Sequence, residues 1–285
     1  MTPKSQKHWT GDVEHLLRVG KGFRLGRVDA NATPGYGRRK RDAIDDLVAG
    51  ADELSELQER LFAASDSSDA AVLLVLQAMD TAGKGGIIRH VVGSVDPQGV
   101  QLAAFKAPTA EELSHDFLWR VRAQVPEPGK IGVFDRSHYE DVLIGKVREL
   151  APADEIERRY GAINHFEKEL ADAGTRIVKV MLHISPSEQR DRLEERLDRP
   201  DKQWKYRPGD VDERMLWPAY MDAYQAVFDR TSTPNAPWYV VPANRKWYAR
   251  LAVQSLLLDA LLDIDPRWPA PDYDVAAERE RLLAT

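Results

Sequence analysis

Residues 70–91 read AAVLLVLQAMDTAGKGGIIRHV, an apolar run that passes through a glycine-rich turn into a helical pattern. Ala71, Val72, Leu73, Leu74, Val75 and Leu76 have the length and branching of a strand buried on both faces. Asp80, Gly83, Lys84, Gly85 and Gly86 follow at the turn. Amide groups exposed at such a turn, with the positive end of the next helix behind them, receive phosphate oxygens, and the lysine adds a mobile charge. The stretch therefore reads as a phosphate cradle. Compared with the motif G-x-x-x-x-G-K-[ST] it departs twice: Ala78 replaces the first glycine, and Gly85 replaces the hydroxyl residue that touches magnesium. Asp80 is the substitute oxygen donor for a hard cation. A glycine-rich strand-to-helix turn without a ligand is the plain alternative.

The chain has 285 residues, 43% of them hydrophobic, enough for one large domain or two small ones with a substantial core. No apolar stretch of about 20 residues is present, and no charged-then-apolar leader is read at the amino terminus, so a cytoplasmic protein without a membrane partner is expected. Zero cysteines exclude disulfides and thiolate metal sites. The net charge of −6 is unevenly spread: residues 1–41 carry ten Lys/Arg against three Asp/Glu, leaving thirty against forty-three for the rest. Arg18, Lys21, Arg24, Arg27 and the run 38–41 form a basic front that could attract a polyanion or simply face water. No nucleic-acid partner is expected.

Residues 1–41 end in the turn-forming stretch Ala32 to Gly37 and read as a basic arm lying over the body. Residues 42–265 read as the main domain. A first helix carries Ala43, Leu47, Leu54, Leu57 and Leu61 at helical spacing. After the cradle, strands are expected near 100–105, 130–134, 176–184 and 238–241. Helices are expected near 111–125, 137–149, 153–173, 187–197, 211–230 and 245–263. Strands alternating with helices predict an α/β fold whose parallel sheet is covered on both faces, with ligands beyond the carboxyl ends of the strands. Residues 266–285 read as a surface tail.

Two further constellations join the cradle. The third strand runs into Phe134-Asp135-Arg136-Ser137-His138-Tyr139-Glu140-Asp141, which puts a carboxylate at the edge where the cradle opens, suited to Mg²⁺, with Arg136 beside it facing phosphate. His138 is set aside as an acid or base, because phosphoryl transfer needs positioning and charge more than proton traffic. The segment QRDRLEERLDRPDKQWKY, residues 189–206, puts Arg192, Arg196 and Arg199 at spacings of four and three on one helical face. Leu193 and Leu197 turn inward, and Lys202 and Lys205 follow on a connection after Pro200. A cationic lid over about 187–210 would neutralise transition-state charge and exclude water; a salt-bridged exposed helix is the alternative.

MDTAGKGG, FDRSHYEDVL, DRPDKQWKY and APWYVVPANRKWYARLAV, in this order, resemble the family-2 polyphosphate kinases over nearly the whole chain. The resemblance implies a P-loop kinase-like, three-layer α/β/α sandwich with a five-stranded mainly parallel sheet and a helical lid. It also implies reversible phosphoryl transfer between inorganic polyphosphate and nucleotides with Mg²⁺ or Mn²⁺, in a homodimer or homotetramer. Carried over by position, it makes Asp80, Lys84, Asp135, Arg136 and Arg196 catalytic, with Asp80 and Asp135 on the metal. Gly83, Lys84, Gly85, Gly86, Arg136 and Lys21 would hold phosphate; Glu140, Arg192, Arg199, Lys202 and Lys205 would serve the nucleotide or the lid. Glu140 stands where diphosphate-preferring members tend to have asparagine, similar to the subgroup that takes both AMP and ADP, with ATP as a product and guanine nucleotides as further candidates. A nucleotide kinase using ATP as donor and a non-catalytic polyphosphate or nucleotide sensor are the rival readings.

Overall fold

The computed structural model describes residues 6–285; the first five residues of the expected basic arm lie outside them. All five expected strands form: β1 (Ala71–Ala78), β2 (Val100–Ala104), β3 (Ile131–Asp135), β4 (Thr175–His183) and β5 (Trp238–Pro242). They make one sheet in the order β2-β3-β1-β4-β5, every pair parallel. The chain leaves β1 toward β2 and β3 on one side, then crosses to β4 and β5 on the other. The crevice at the carboxyl end of β1 is therefore the switch point where α/β sheets bind ligands.

The pattern of β1 explains its central place. Val72, Leu74 and Leu76 pack on one face against the long helices Lys40–Ala63 and Lys246–Ile264, through Leu54, Leu57, Leu61, Leu251 and Leu258. Leu73 and Val75 pack on the other face with helices Ala153–Asp172 and Trp217–Thr231, through Ile163, Phe166, Val227 and Phe228. Each such side chain contributes roughly 1.5–3 kcal/mol when taken from water, and the two covered faces give the α/β/α sandwich.

The helices differ from expectation where local chemistry interrupts them. The stretch near 111–125 becomes two single turns, Ala110–Leu113 and Trp119–Arg122, because the Asp116 carboxylate accepts from the Leu118 amide at 3.0 Å and starts a new turn. The stretch near 137–149 becomes a 3₁₀ turn, His138–Asp141, and a short helix, Ile144–Val147. The stretch near 211–230 divides into Gly209–Met215 and Trp217–Thr231, with Pro218 at the second start, where its missing amide costs no helical bond.

The basic leading segment is held by the body. The Val19 amide donates to the Trp238 carbonyl at 2.8 Å, the Asn244 amide to the Ala30 carbonyl at 3.1 Å, the Tyr248 hydroxyl to the Pro34 carbonyl at 2.8 Å and the Tyr36 hydroxyl to Asp46 at 2.7 Å. No helix of the described residues is long and apolar enough to cross a membrane.

Gln6 reaches the Lys246–Ile264 helix and donates to Asp259 at 2.6 Å. Burial pushes the Asp259 carboxyl up to about 6, with Glu14, Asp12 and Asp263 adding like charge and Gln6 opposing. The unfolded chain releases this proton first, so the group destabilises the fold progressively as pH rises from about 4 to about 6. Asp259→Asn retains an acceptor for Gln6 and should raise stability at pH 7.5 by up to about 3 kcal/mol, with no gain at pH 4. Urea unfolding at the two pH values checks this; an equal gain at both would contradict the assignment.

Candidate functional site

β1 ends at Ala78, and the chain turns through Met79–Gly83 into the helix Lys84–His90. Gly83 caps that helix at φ +118°, a conformation open to glycine at little cost. Thr81 takes φ +65° and Arg136, just past β3, takes φ +63°. Two non-glycine residues in this region on neighbouring strand exits mark local backbone strain at this edge of the sheet. A β-carbon on Gly85 would meet nothing within 4 Å, whereas one on Gly86 would approach the Arg250 guanidinium at 3.7 Å.

β1 and β3 are adjacent, with Leu76 opposite Asp135, so the two acidic positions found in the sequence come to one groove. This groove, about 430 Å³, is lined by Asp80 to Gly86, Arg89, His90, Asp135, Arg136, Arg196 and Lys205. A second hollow, about 230 Å³, is lined by residues including Met79, Asp80, Arg136, Glu140, Leu143, Asp210 and Tyr224. Asp80 and Arg136 belong to both, and the Arg136 Nη2 donates to Asp80 Oδ1 at 3.0 Å. This ion pair forms the wall between the compartments. Larger hollows of about 700 and 490 Å³ elsewhere share none of these residues and lie away from the exits of β1 and β3.

Arg136 also lies 3.6 Å from Glu140. Burial works against the Arg136 charge, but Glu140, Asp80 and Asp135 outweigh it and hold the guanidinium above its ordinary range. Burial pushes the Glu140 carboxyl up, while Arg136 and Lys84 pull it back. With the Gln77 amide turned to satisfy both of its ends, its nitrogen donates to Glu140 Oε1 at 2.9 Å and its oxygen accepts from Ser137. Glu140 is thus fixed at the rim of the smaller hollow by a buried side chain of β1.

Four cations in or beside the larger groove, Lys84, Arg89, Lys205 and Arg250, have no carboxylate within ion-pair distance among the described residues, in contrast to Arg136 and Arg196. Among the described residues the Lys84 ammonium donates to the Ala78 carbonyl alone, at 3.5 Å. Burial and then Arg89 push Arg250 down; burial, Arg250 and Arg89 push His90 down. Like charges crowded beside one another favour an anionic ligand. Sequence reasoning missed Arg89, His90 and Arg250. Arg89 falls five positions after Lys84 on the same short helix, but Arg250 comes from the far end of the chain and leaves no spacing signal.

The lid residues separate. Arg196 lines the groove, donating to the Lys205 carbonyl at 3.1 Å and lying 3.4 Å from Asp210. Lys205 lines the groove as well. Arg192 is buried, its guanidinium bound to backbone carbonyls, and does not face the groove as a free cation. Arg199 pairs on the surface with Asp201 at 2.9 Å and Glu195 at 3.1 Å, and Lys202 lies 3.8 Å from Asp201. The expected common face fails because the helix Pro186–Asp198 ends before Arg199, whose extended backbone breaks the helical spacing. Leu193 is buried, as expected, but Leu197 is exposed.

Lys21 is the expected phosphate ligand that the structure keeps away from the cradle. The antiparallel bridge of Arg18 with Tyr239 carries the chain past Trp238, toward the amino end of β5. Lys21 lines a separate hollow there with Asp229 and Thr233. Charge alone could not distinguish the two ends of the sheet.

Asp80 and Asp135 offer hard oxygen donors at the groove, the donor type that Mg²⁺ takes. No cluster of three or more His, Cys, Asp or Glu able to hold a metal is found among the described residues. The pair fits a magnesium ion bound by one or two carboxylates, with phosphate oxygens and water completing its shell, rather than an all-protein cage.

The sequence model described as Polyphosphate kinase 2 matches residues 38–268. The AMP/ADP-polyphosphate phosphotransferase of Meiothermus ruber is 46% identical over 250 residues, covering 88% of this chain and 92% of that protein. The ADP-polyphosphate phosphotransferase of Rhodopseudomonas palustris is 42% identical over 281 residues, covering 94% and 95%. The crystal structure of Polyphosphate Kinase 2 from Arthrobacter aurescens superposes with a TM-score of 0.96 at 58% identity, covering 97% of this chain and 98% of that one. Matched by the family model over most of its length and by full-length relatives at 42–58% identity, this chain belongs to the polyphosphate kinase 2 family.

Proposed function

We propose that this chain transfers a phosphoryl group reversibly between inorganic polyphosphate and AMP or ADP, giving ADP or ATP. The observation that carries the reading is the pair of compartments meeting at Asp80 and Arg136. The larger groove, with its uncompensated cations, takes the polyphosphate donor. The smaller hollow takes the phosphate end of the acceptor nucleotide. The reacting phosphorus then lies at the shared wall, where acid and guanidinium stand together.

In this reading Lys84 and the amides of Gly83, Gly85 and Gly86 hold non-bridging oxygens of the donor, and Arg89, His90 and Arg250 continue the cationic track. Arg136 is ion-paired to Asp80 before ligands arrive and is available to the charge that develops in transfer. Arg196 approaches from the lid side and, with Lys205, screens the migrating group from water. Asp80 and Asp135 would hold Mg²⁺, or Mn²⁺ in its place, which when bound supplies charge neutralisation at the phosphate oxygens. Transfer runs in either direction because one phosphoanhydride bond is broken as another forms, so the two sides lie close in free energy. The M. ruber relative is named for both AMP and ADP and the R. palustris relative for ADP; Glu140, held by Gln77 at the acceptor hollow, favours inclusion of the monophosphate here. Guanine nucleotides fit the same phosphate chemistry. As in the sequence reading, the body over 42–265 acts as the transferase unit, with the leading and trailing segments attached, and two or four copies assemble.

Incubation of the pure protein with AMP or ADP, polyphosphate and Mg²⁺, followed by nucleotide separation, should yield ADP and ATP. Turnover with ATP as donor but none with polyphosphate would contradict the reading. Lys84→Ala and Asp135→Asn should each lower kcat by about 10²–10³-fold, equivalent to roughly 2.7–4 kcal/mol; activity within a few-fold of the parent would remove these residues from the mechanism. Glu140→Asn should lower kcat/KM for AMP by about tenfold or more while leaving that for ADP within a few-fold, a difference of about 1.4 kcal/mol between acceptors. Equal losses with both acceptors would show that Glu140 does not discriminate.

A further inference from the structure

Three consecutive carbonyls of the cradle turn are taken by two side chains one turn apart on the helix Pro186–Asp198. Gln189 Nε2 donates to the Asp80 carbonyl at 3.2 Å. Arg192 Nη1 donates to the carbonyls of Thr81 at 3.0 Å and Ala82 at 2.9 Å. Both side chains are buried. Arg192 also reaches the exit of β5, where Nη2 donates to the carbonyls of Ala243 at 2.7 Å and Asn244 at 3.1 Å, and its Nε donates to Glu188 at 2.7 Å. The five N–H donors of the guanidinium thus meet five acceptors, and a lysine in its place has three donors without the planar fork.

The carbonyl and the following N–H point to opposite sides of a trans peptide. Carbonyls of Asp80 and Ala82 drawn toward this helix turn the amides of Thr81 and Gly83 the other way, toward the groove; neither amide has a protein acceptor among the described residues. The arrangement includes Thr81 at φ +65°, which a threonine adopts only when its surroundings enforce it. Released from the guanidinium, the turn would relax, and its amides would no longer converge on an anion.

We propose that Arg192, with Gln189, is a positioning residue that holds the cradle turn in its anion-binding form, so that the root of the lid helix sets the affinity of the loop for phosphate. The inference rests on the polyphosphate reading of the groove but assigns a role that the reading does not require. It recasts Arg192 from a cation facing the ligand to one acting through the backbone of residues 80–82. The same contacts join the lid helix, the cradle and the β5 exit, so a shift of that helix would be felt as a change in the direction of the loop amides.

The test uses the full chain as wild type, Arg192→Lys, Arg192→Gly and Gln189→Met, with tripolyphosphate as the probe. Calorimetric Kd for tripolyphosphate, kcat, KM for polyphosphate and for the nucleotide, and Tm are measured for each. Expected are a weakening of tripolyphosphate binding and a fall in kcat of roughly ten- to a hundredfold in Arg192→Lys, and a smaller fall in the same sense in Gln189→Met. The KM for the nucleotide stays within about twofold, and Gln189→Met keeps the Tm of the wild type within a few degrees. Added guanidinium at millimolar concentration should partly restore kcat in Arg192→Gly, which a generally loosened fold would not allow. A wild type that fails to bind tripolyphosphate contradicts the polyphosphate reading and this inference with it. Variants that bind as well as a binding wild type contradict the positioning role alone, as does a loss of activity that follows the unfolded fraction and is not restored by guanidinium.

Discussion

A lysine with no exposure stands in the middle of β4, and the site above it depends on how its charge is met. Lys179 Nζ donates to Glu167 Oε2 at 2.6 Å, to the Tyr139 hydroxyl at 2.8 Å and to the Thr231 carbonyl at 2.8 Å. Glu167 Oε1 in turn accepts from Tyr139 at 2.7 Å and lies 3.3 Å from His138 Nε2. Burial pushes the Lys179 ammonium down; it opposes the Glu167 charge too, yet Lys179 and His138 hold that carboxyl below its ordinary range. Removing one partner of such a pair leaves an uncompensated buried charge, at a cost of about 3–5 kcal/mol. The pair therefore fixes His138 and Tyr139 beneath the sheet edge, and with them the flanking Arg136 and Glu140 that face the two compartments. His138 serves here as a buried partner of Glu167, consistent with setting it aside as a proton-transfer group.

The backbone completes what the buried pair begins. The Arg136 amide donates to the Leu76 carbonyl at 3.1 Å, one step past the last paired residue of β3, and the chain then turns left-handed. That turn ends the strand and sends the side chain back across the edge to Asp80, rather than onward with the strand. Thr81 makes the matching turn on β1. Strain at both exits is offset by fixed acceptors and donors: carbonyls around Thr81 by the Arg192 guanidinium, and the stretch after Arg136 by Ser137, Tyr139 and Gln77. The wall between the compartments is thus built from two turns, each tied from behind by buried polar groups.

How much of this the sequence disclosed follows from the range of each interaction. The five strands were legible because strands buried on both faces are continuous apolar runs, and Asp80, Lys84, Asp135 and Arg136 because each sits within a few residues of a strand end. The lid arginines were legible as charges but not as roles. Helical spacing held from Arg192 to Arg196 and failed at Arg199, where the helix had ended, and it could not tell a guanidinium bound to carbonyls from one facing a ligand. Lys21 was misplaced because a basic residue carries no information about which end of a sheet its segment will reach. Lys179 was the missed signal: a lysine inside Arg176–Ile184, RIVKVMLHI, is out of place in an apolar strand and points to a buried partner.

The distribution of counter-charges separates scaffold from binding surface. Arginines on the outer helices are mostly paired: Arg158 with Glu155, Arg148 with Glu213, Arg122 with Glu169, Arg199 with Glu195 and Asp201. Exposed pairs of this kind add little to stability and are screened by salt. At the cradle the pattern reverses, for Lys84, Arg89, Lys205 and Arg250 converge without a carboxylate partner among the described residues, although the chain as a whole is acidic. Repulsion in that cluster is a cost carried by the free protein. A bound anion would relieve that repulsion by supplying the missing counter-charge. The same feature that makes the free cluster unfavourable thus makes this groove receptive to an anion, whereas the smaller hollow sets Asp80, Glu140, Asp210 and Glu213 against Arg136 and Arg207 and has its charges balanced within itself.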